Sequence, residues 1–455
     1  MGRARIDSDA SEEVALAPGS ELGTEAVELL RRLIRLDTSN PPGNEGEAQL
    51  LLRERLSEAG FECEIAAREP DRPNLVARLR GSSPGPVLCL LGHVDTVPAD
   101  RSDWSGDPWS GELRDGAVWG RGAIDMKGQV AAEVAAAVAL ARGGWRPAAG
   151  DLLVVATADE ERGAAYGARW LCEERPDLVR SDLVVNEGGG IAIEFRGRRF
   201  YTVALGEKGV CRLHLSTHGR AGHASMPRIG DNAVLRMAPL LERLADQPPL
   251  EPTPEGVGFL SVLLGEDLTR AGTAELGEAV ERVRAEDAAV ADYLAEPLLG
   301  VTLAPVMVAG GVKENVIPAH CEALVDCRVP PELGEDHVRE LVMALLGGGG
   351  WELEIPECIV GNRSPLEGPL ADAISTWISD ADPGAVPVAS AMPGFSDSHW
   401  FRKEFGATAY GFWPRRTMPL AELEPLIHGA DERVPVADLE LSAQFFFDLP
   451  PRVLG

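Results

Sequence analysis

Apolar and polar positions recur along this chain with two periods, and the dominant period changes twice. From Ala26 to Arg35 apolar residues fall at helical spacing and stop at Asp37-Thr38-Ser39-Asn40-Pro41-Pro42, which predicts a helix and its end. Glu47 to Ala59 repeats the pattern and stops at Gly60. Phe61–Ala67 alternates with period two, and Asn74–Arg80 reads as a second strand. Pro86–Leu91, Asp151–Ala156 and Asp182–Val185 are short continuous apolar runs, as in strands buried on both faces. Met126–Arg142 is an alanine-rich helix. Strands alternating with helices predict an α/β sheet, mixed but mostly parallel, flanked by helices.

Near residue 200 the pattern shifts. Phe200–Ala204 and Cys211–Thr217 alternate as strands with one exposed face. A glycine-histidine turn, a helix over Asn232–Leu244 and strands over Thr302–Val308 and Glu322–Arg328 follow. These predict a small α+β unit with an antiparallel sheet. From about Glu335 the α/β pattern resumes and ends in a helix over Ala437–Phe447. The expected organisation is a disordered lead (1–20), a larger domain (21–205 and 330–455) and a smaller inserted one (206–329). Within the insert, the proline-rich Pro248–Gly258 reads as a linker and the acidic Glu275–Leu294 as helical; together they form an extra segment at about 246–300.

Composition narrows the function classes. At 455 residues the chain exceeds what one core usually serves, and 45% apolar with 25% charged residues is ordinary globular composition. No apolar run reaches the roughly 18–20 residues of a membrane helix, and Met1–Ser20 lacks the apolar core of a secretory signal. A net charge of −29 excludes a nucleic-acid-binding body and disfavours anionic membrane surfaces. A small anionic substrate remains compatible if its cleft carries cations of its own. The seven cysteines, odd in number and without CxxC spacing, argue for a reducing cytoplasm and against a disulfide framework or a thiolate zinc site. Only four lysines occur, and Lys127, Lys208 and Lys313 each lie close to a glycine, where a compact ammonium fits.

The candidate chemistry lies at strand ends. Gly92-His93-Val94-Asp95-Thr96-Val97-Pro98 follows the strand Pro86–Leu91, so His93 sits where α/β sheets open their crevice. Asp95, two positions on, lies on the same face of an extended chain and can fix the imidazole tautomer; a plain strand-end turn is the alternative. Trp119-Gly120-Arg121-Gly122-Ala123-Ile124-Asp125-Met126-Lys127-Gly128 leads into a helix. It lacks the third glycine of a dinucleotide fingerprint, leaving Asp125 as a carboxylate offered to cations or as a helix cap. Asp159-Glu160-Glu161-Arg162-Gly163 follows Asp151–Ala156: either a solvated acidic turn, or one glutamate ligating a metal beside a free base. Asn186-Glu187-Gly188-Gly189-Gly190 follows a third buried strand, and His428-Gly429-Ala430-Asp431-Glu432-Arg433 lies far downstream. Two histidines and three carboxylates make a ligand inventory for two divalent ions with one carboxylate bridging.

With GHVDTVP, GRGAIDMKG, DEERG and HGADER in place, the sequence resembles the co-catalytic di-zinc exopeptidase and amidohydrolase family over about Ala26–Phe447. That family includes aminoacylase, glutamate carboxypeptidase, carboxypeptidase S, acetylornithine deacetylase and succinyl-diaminopimelate desuccinylase. The resemblance implies a catalytic domain with an inserted lid and dimerisation domain. It also implies two divalent ions, zinc first, with cobalt or manganese as substitutes. His93 and Glu187 would hold one ion and Glu161 and His428 the other, with Asp125 bridging, Asp95 orienting His93 and Glu160 as general base. A cis peptide after Asp125 is implied as well. His223, in Gly222-His223-Ala224-Ser225, resembles a histidine that reaches the substrate carbonyl, commonly across a homodimer interface. Asn315 and Arg328 resemble the residues that hold the substrate carboxylate. The 246–300 segment departs from the compact members and resembles longer ones, where extra lid helices would cover the cleft or alter dimer packing. The implied activity is hydrolysis of the amide bond of an N-acyl amino acid or small peptide with a free carboxylate. Glu187 leans toward the acyl amino acid; dipeptidase or carboxypeptidase action and a non-catalytic metal-binding role are the alternatives.

Overall fold

Parallel pairing of the three continuous apolar runs builds the centre of the fold, described over residues 20–455 by a computed structural model. The expected lead over 1–20 lies, Ser20 apart, outside the described residues. The helices are α1 (Glu21–Ile34), α2 (Gly46–Glu58), α3 (Lys127–Arg142), α4 (Ala168–Glu174), α5 (Pro176–Val179), α6 (Ala233–Leu244), α7 (Pro254–Leu264), α8 (Thr273–Glu286), α9 (Glu335–Leu346), α10 (Pro369–Ala381), α11 (Ser398–Phe405), α12 (Leu420–Leu423) and α13 (Val436–Leu454). The strands are β1 (Glu62–Ala67), β2 (Pro73–Arg80), β3 (Val87–His93), β4 (Glu112–Arg114), β5 (Ala117–Trp119), β6 (Asp151–Thr157), β7 (Leu183–Asn186), β8 (Ala192–Phe195), β9 (Arg198–Glu207), β10 (Gly209–His218), β11 (Thr302–Gly310), β12 (His320–Val329), β13 (Trp351–Ile359), β14 (Val386–Met392), β15 (Thr408–Gly411) and β16 (Arg433–Pro435).

The large sheet runs β1-β2-β6-β3-β7-β15-β9-β14, with β8 on β9. β6, β3, β7 and β15 are parallel, and antiparallel pairs flank them. Residues along β3 alternate between two cores. Leu88 and Leu90 face the layer of α1, α3 and α13, whereas Cys89 and Leu91 face Trp170 of α4 and Trp400 and Phe401 of α11. The alanine-rich α3 is buried nearly all round, since small side chains let it pack between the sheet and the helices α1 and α13. Ser20 Oγ caps α1 by accepting from Gly23 N at 3.0 Å. At the other end of α1 the buried Lys127 ammonium donates to Leu33 O and Leu36 O, at 3.1 and 2.8 Å. Burial draws the Lys127 pKa down to about 7.

The second sheet is antiparallel, β11-β12-β10-β13, with α6 and α9 on one face. A third, of β16, β5 and β4, lies beside the loop that carries Asp125. The fold class matches the expectation; several boundaries do not. Phe200–Ala204 was expected to show one exposed face, yet it is buried within β9 of the large sheet. Residues 335–359 belong with the second sheet, because β13 pairs with β10 and α9 packs in the same core, so the boundary expected at 330 moves to about 360. The two backbone crossings between the sheets are stacked tightly. A Cβ on Gly209 would meet Ile359 O at 2.5 Å, and one on Gly361 would meet Glu207 O at 2.4 Å. Cys211 and Cys358, directly opposed across β10 and β13, are joined in a disulfide, a single pairing that the expectation against a disulfide framework did not foresee.

The 246–300 segment is not an extension of the small sheet's core. The expected linker over 248–258 turns helical at Pro254, where Thr253 Oγ1 accepts from Gly256 N at 3.0 Å. Phe259, Leu260, Leu263 and Leu264 of α7 join Phe200, Val203 and Val388 in the core of the large sheet. Arg196, from the β8–β9 turn, forks onto Glu286 of α8, and Arg363 reaches the buried Glu255. The apolar face of α7 therefore packs at the β14 edge of the large sheet rather than adding to the core of the second sheet. Phe259→Ala is expected to lower stability by about 3–5 kcal/mol. In a thermal melt followed by near-ultraviolet dichroism, the main transition should move down; a separate early transition that leaves the main one in place would contradict this docking.

Candidate metal centre

Three adjacent parallel strands bring their carboxyl ends to one rim, and the candidate ligands stand there. His93 ends β3, Glu160 and Glu161 follow β6, and Glu187 follows β7. Asp125 stands two residues before the start of α3, and His428 comes from the segment between α12 and β16. The peptide between Asp125 and Met126 is cis. Asp125 stands between the two histidines: its Oδ1 is 3.1 Å from His93 Nε2 and its Oδ2 is 3.2 Å from His428 Nε2. Glu187 Oε2 lies 4.0 Å from His93 Nε2, and Glu161 Oε2 lies 3.3 Å from His428 Nε2. The five residues thus form two three-donor groups that share Asp125, His93–Asp125–Glu187 and Asp125–Glu161–His428.

The electrostatics of this rim are unfavourable without added positive charge. Burial, then the neighbouring Glu187, pushes the Glu160 carboxyl well above its ordinary value. Burial and Asp125 do the same to Glu187 and, less strongly, to Glu161. Bonds to Asp125 and Glu161 raise His428 to about 10. Burial would lower His93, but Asp125 and Asp95 hold it well above its usual range. Asp125 stays low despite burial because both imidazoles bond to it. Glu161 Oε1 is buried and has no hydrogen-bond partner. Nitrogen and oxygen donors in this arrangement fit a pair of hard-to-borderline divalent cations, which would replace the protons these groups otherwise hold.

The support around the ligands includes residues that sequence reasoning passed over. His93 Nδ1 lies 3.0 Å from the Asp95 main-chain carbonyl and 3.5 Å from its carboxylate, so the nearer orienting contact is the backbone rather than the expected side chain. The Asp95 carboxylate instead accepts from Asn40 Nδ2 at 2.9 Å and from the Glu160 and Glu161 amides at 3.2 and 3.3 Å. Asn40 also donates to Asp159, whose φ of 66° is left-handed, and Arg72 forks onto the buried Glu45 beside it. Glu432, fully buried, accepts from Arg121 Nη1 at 2.7 Å and from the amides of Gly122, Ile124 and Asp125 at 2.9, 2.7 and 3.0 Å. Glu432 stands in HGADER next to Asp431, but nothing local distinguishes a carboxylate that collects backbone amides from one on the surface. Asp397 accepts from Thr157 Oγ1 at 2.7 Å, and burial raises its pKa to about 7.

The remaining expected residues stand apart from the cluster. His223 is exposed on a loop bridged to Val316, its Nδ1 2.8 Å from Ser225 Oγ. Asn315 is exposed on the facing loop, where its carbonyl accepts from Ala224 N. Among the described residues neither makes a hydrogen bond to the cluster within this chain. Arg328, on β12, donates to Asp326 Oδ1 at 2.7 Å.

Residues 89–450 match peptidase family M20/M25/M40. The chain belongs to that family. It is a metallo-hydrolase of the M20 type, acting on C–N bonds. A succinyl-diaminopimelate desuccinylase of Rhodospirillum centenum is 30% identical over 441 residues, 93% of this chain and 96% of that one. Another, of Paracoccus denitrificans, is 34% identical over 279 residues, 59% of this chain and 69% of that one. In fold, the M20 chain resembles an M20 family metallo-carboxypeptidase from Sulfolobus solfataricus (TM-score 0.70, 17% identity, 94% and 99% of the two chains). It also resembles human carnosine dipeptidase 1 (TM-score 0.66, 16% identity, 94% and 96%). Among the described residues no helix is long and apolar enough to cross a membrane.

Replacing Glu432 by Ala leaves Arg121 buried without its partner and frees the loop that presents Asp125. Stability should fall by about 3–5 kcal/mol, and metal affinity by about 10–100-fold. Metal content after dialysis against a graded chelator checks this; retention equal to wild type would show that the Asp125 loop does not need Glu432.

Proposed function

We propose that the rim hydrolyses the amide bond of an N-acyl amino acid bearing a free carboxylate. The observation that carries this reading is the convergence of His93, Asp125, Glu161, Glu187 and His428 beside a glutamate left unbound. Glu160 makes no side-chain hydrogen bond or ion pair among the described residues, although its amide is fixed by Asp95. His93 and Glu187 would hold one divalent ion and Glu161 and His428 the other, with Asp125 between, zinc being the first candidate. When bound, the ions supply Lewis acidity, which acidifies water and polarises a carbonyl. Glu160 takes the proton from the attacking water and returns it to the leaving nitrogen. Its withdrawal from solvent suits both roles, because a carboxyl of raised pKa gives up its proton less readily to water. Asp95 and Asn40 hold the Glu160–Glu161 turn still through these transfers. His223, which stands apart from the rim within this chain, would donate to the developing oxyanion from a second copy in a homodimer.

Arg328 and Asn315 hold the substrate carboxylate. The guanidinium fork suits a carboxylate and supplies the local cation that a chain of net charge −29 needs for an anionic substrate. Arg328 already bonds Asp326, so substrate binding would exchange one carboxylate for another. The acyl reading, rather than peptide trimming, is supported by relatives at 28–34% identity, each called succinyl-diaminopimelate desuccinylase. A homodimer fits the open edge of the second sheet. Val306, Met307 and Val308 of β11 are exposed there, with Leu235 of α6, so a second copy would pair its own edge and cover them.

Against a panel of N-acyl amino acids, Glu160→Gln should lose about a thousandfold in kcat with metal content unchanged. Arg328→Ala should raise KM about 10–100-fold and erase the preference for acids over their amides. Near-full turnover of the first, or an intact acid preference in the second, would refute the corresponding role. In sedimentation, wild type should run as a dimer and Val308→Lys as a monomer; a monomeric wild type would remove the edge-pairing proposal.

A further inference from the structure

The open face of the second sheet carries a histidine pair that the hydrolytic site does not use. His218, last residue of β10, and His320, first of β12, are direct cross-strand partners. Their side chains are about half exposed, 54% and 47%. Their rings stand 4.9 Å apart, centre to centre, and their Nδ1 atoms face each other at 3.4 Å. Each outer nitrogen faces a carboxylate: His320 Nε2 lies 2.7 Å from Glu322 Oε1 and His218 Nε2 lies 3.4 Å from Glu352 Oε2.

These contacts have a consequence for the protons. An imidazole that donates from Nε2 to a carboxylate carries its hydrogen there when neutral, so its Nδ1 presents a lone pair. Glu322 fixes His320 in this way and the ion-pair approach of Glu352 favours the same tautomer in His218; two lone pairs 3.4 Å apart then repel unless something positive lies against both. Donation of the far ring nitrogen to a carboxylate is also the usual support of a metal-bound histidine. The spacing agrees: two nitrogens each 2.0–2.1 Å from a tetrahedral zinc stand about 3.3–3.4 Å apart. Solvent exposure leaves the remaining coordination positions to water.

We propose that His218 and His320 form a second, surface metal site for a borderline divalent ion such as zinc, nickel or copper(II), bound through both Nδ1 atoms, with Glu322 and Glu352 as outer supports. The ion would cross-link β10 to β12 where both chains leave the sheet. Gly219 N donates to Ala319 O at 2.8 Å at that exit, and the chain continues into the loops that carry His223 and Asn315. This site stands independently of the hydrolytic reading, because it shares no residue with the metal centre.

The test titrates Zn²⁺ into the purified full chain, already incubated with Zn²⁺ and desalted, and compares wild type with His218→Ala and His320→Ala by calorimetry and metal analysis. Taking the difference between proteins makes the count independent of how many ions the other centre holds. Wild type should take up one more ion per chain than either variant, and added Zn²⁺ should raise the Tm of wild type only. Glu322→Gln should weaken this uptake about tenfold or more. Equal uptake by wild type and both variants up to about 1 mM Zn²⁺ would overturn the proposal. So would a wild-type pair that titrates with pH as a shared-proton couple while taking up no additional zinc.

Discussion

Like charges held together away from water set the terms for this molecule. Asp95, Asp125, Glu160, Glu161 and Glu187 meet two imidazoles at the rim formed by β3, β6 and β7, where screening is weak. Such a gathering is stable only if protons or cations offset the repulsion. Parallel register makes the gathering unavoidable once each strand ends in a polar residue, since the three carboxyl ends open on the same side. The proposed chemistry would follow from that crowding: the same repulsion that makes the rim costly would give divalent ions their hold on it.

Rigidity comes from buried polar groups that never touch a candidate ion. Asn40 bridges Asp95 and Asp159, and Asp95 fixes the amides of the turn after β6. Glu432 collects three amides and Arg121, pinning the loop before α3 to the segment that carries His428. His428 itself holds a left-handed φ of 59°, a conformation that a non-glycine residue keeps only where its surroundings impose it. The turn that carries Glu160 and Glu161 and the loop that carries Asp125 are therefore each held by groups distant in sequence.

How much was legible depended on the range of the interaction. Strand-end motifs are local, so His93, Asp125, Glu161, Glu187 and His428 were readable before any coordinates, as were β3, β6 and α3. Pairings made over long separations were not. Residues 351–359 look like any amphipathic strand until β10 is seen beside them, and nothing local shows that Cys358 opposes Cys211. The prolines before α7 suggested a linker, but Pro254 at the first turn starts a helix whose partner, β14, lies more than a hundred residues on. Asn40 was read only as part of a helix stop, because its role depends on two carboxylates from other strands.

Anomalous diffraction from crystals grown with zinc tests the central claim most directly. The account predicts two peaks about 3.5–4 Å apart, one beside His93 and Glu187 and the other beside Glu161 and His428, with the Asp125 carboxylate between them. A single peak at this rim, or ions bound without Asp125 between them, would contradict it.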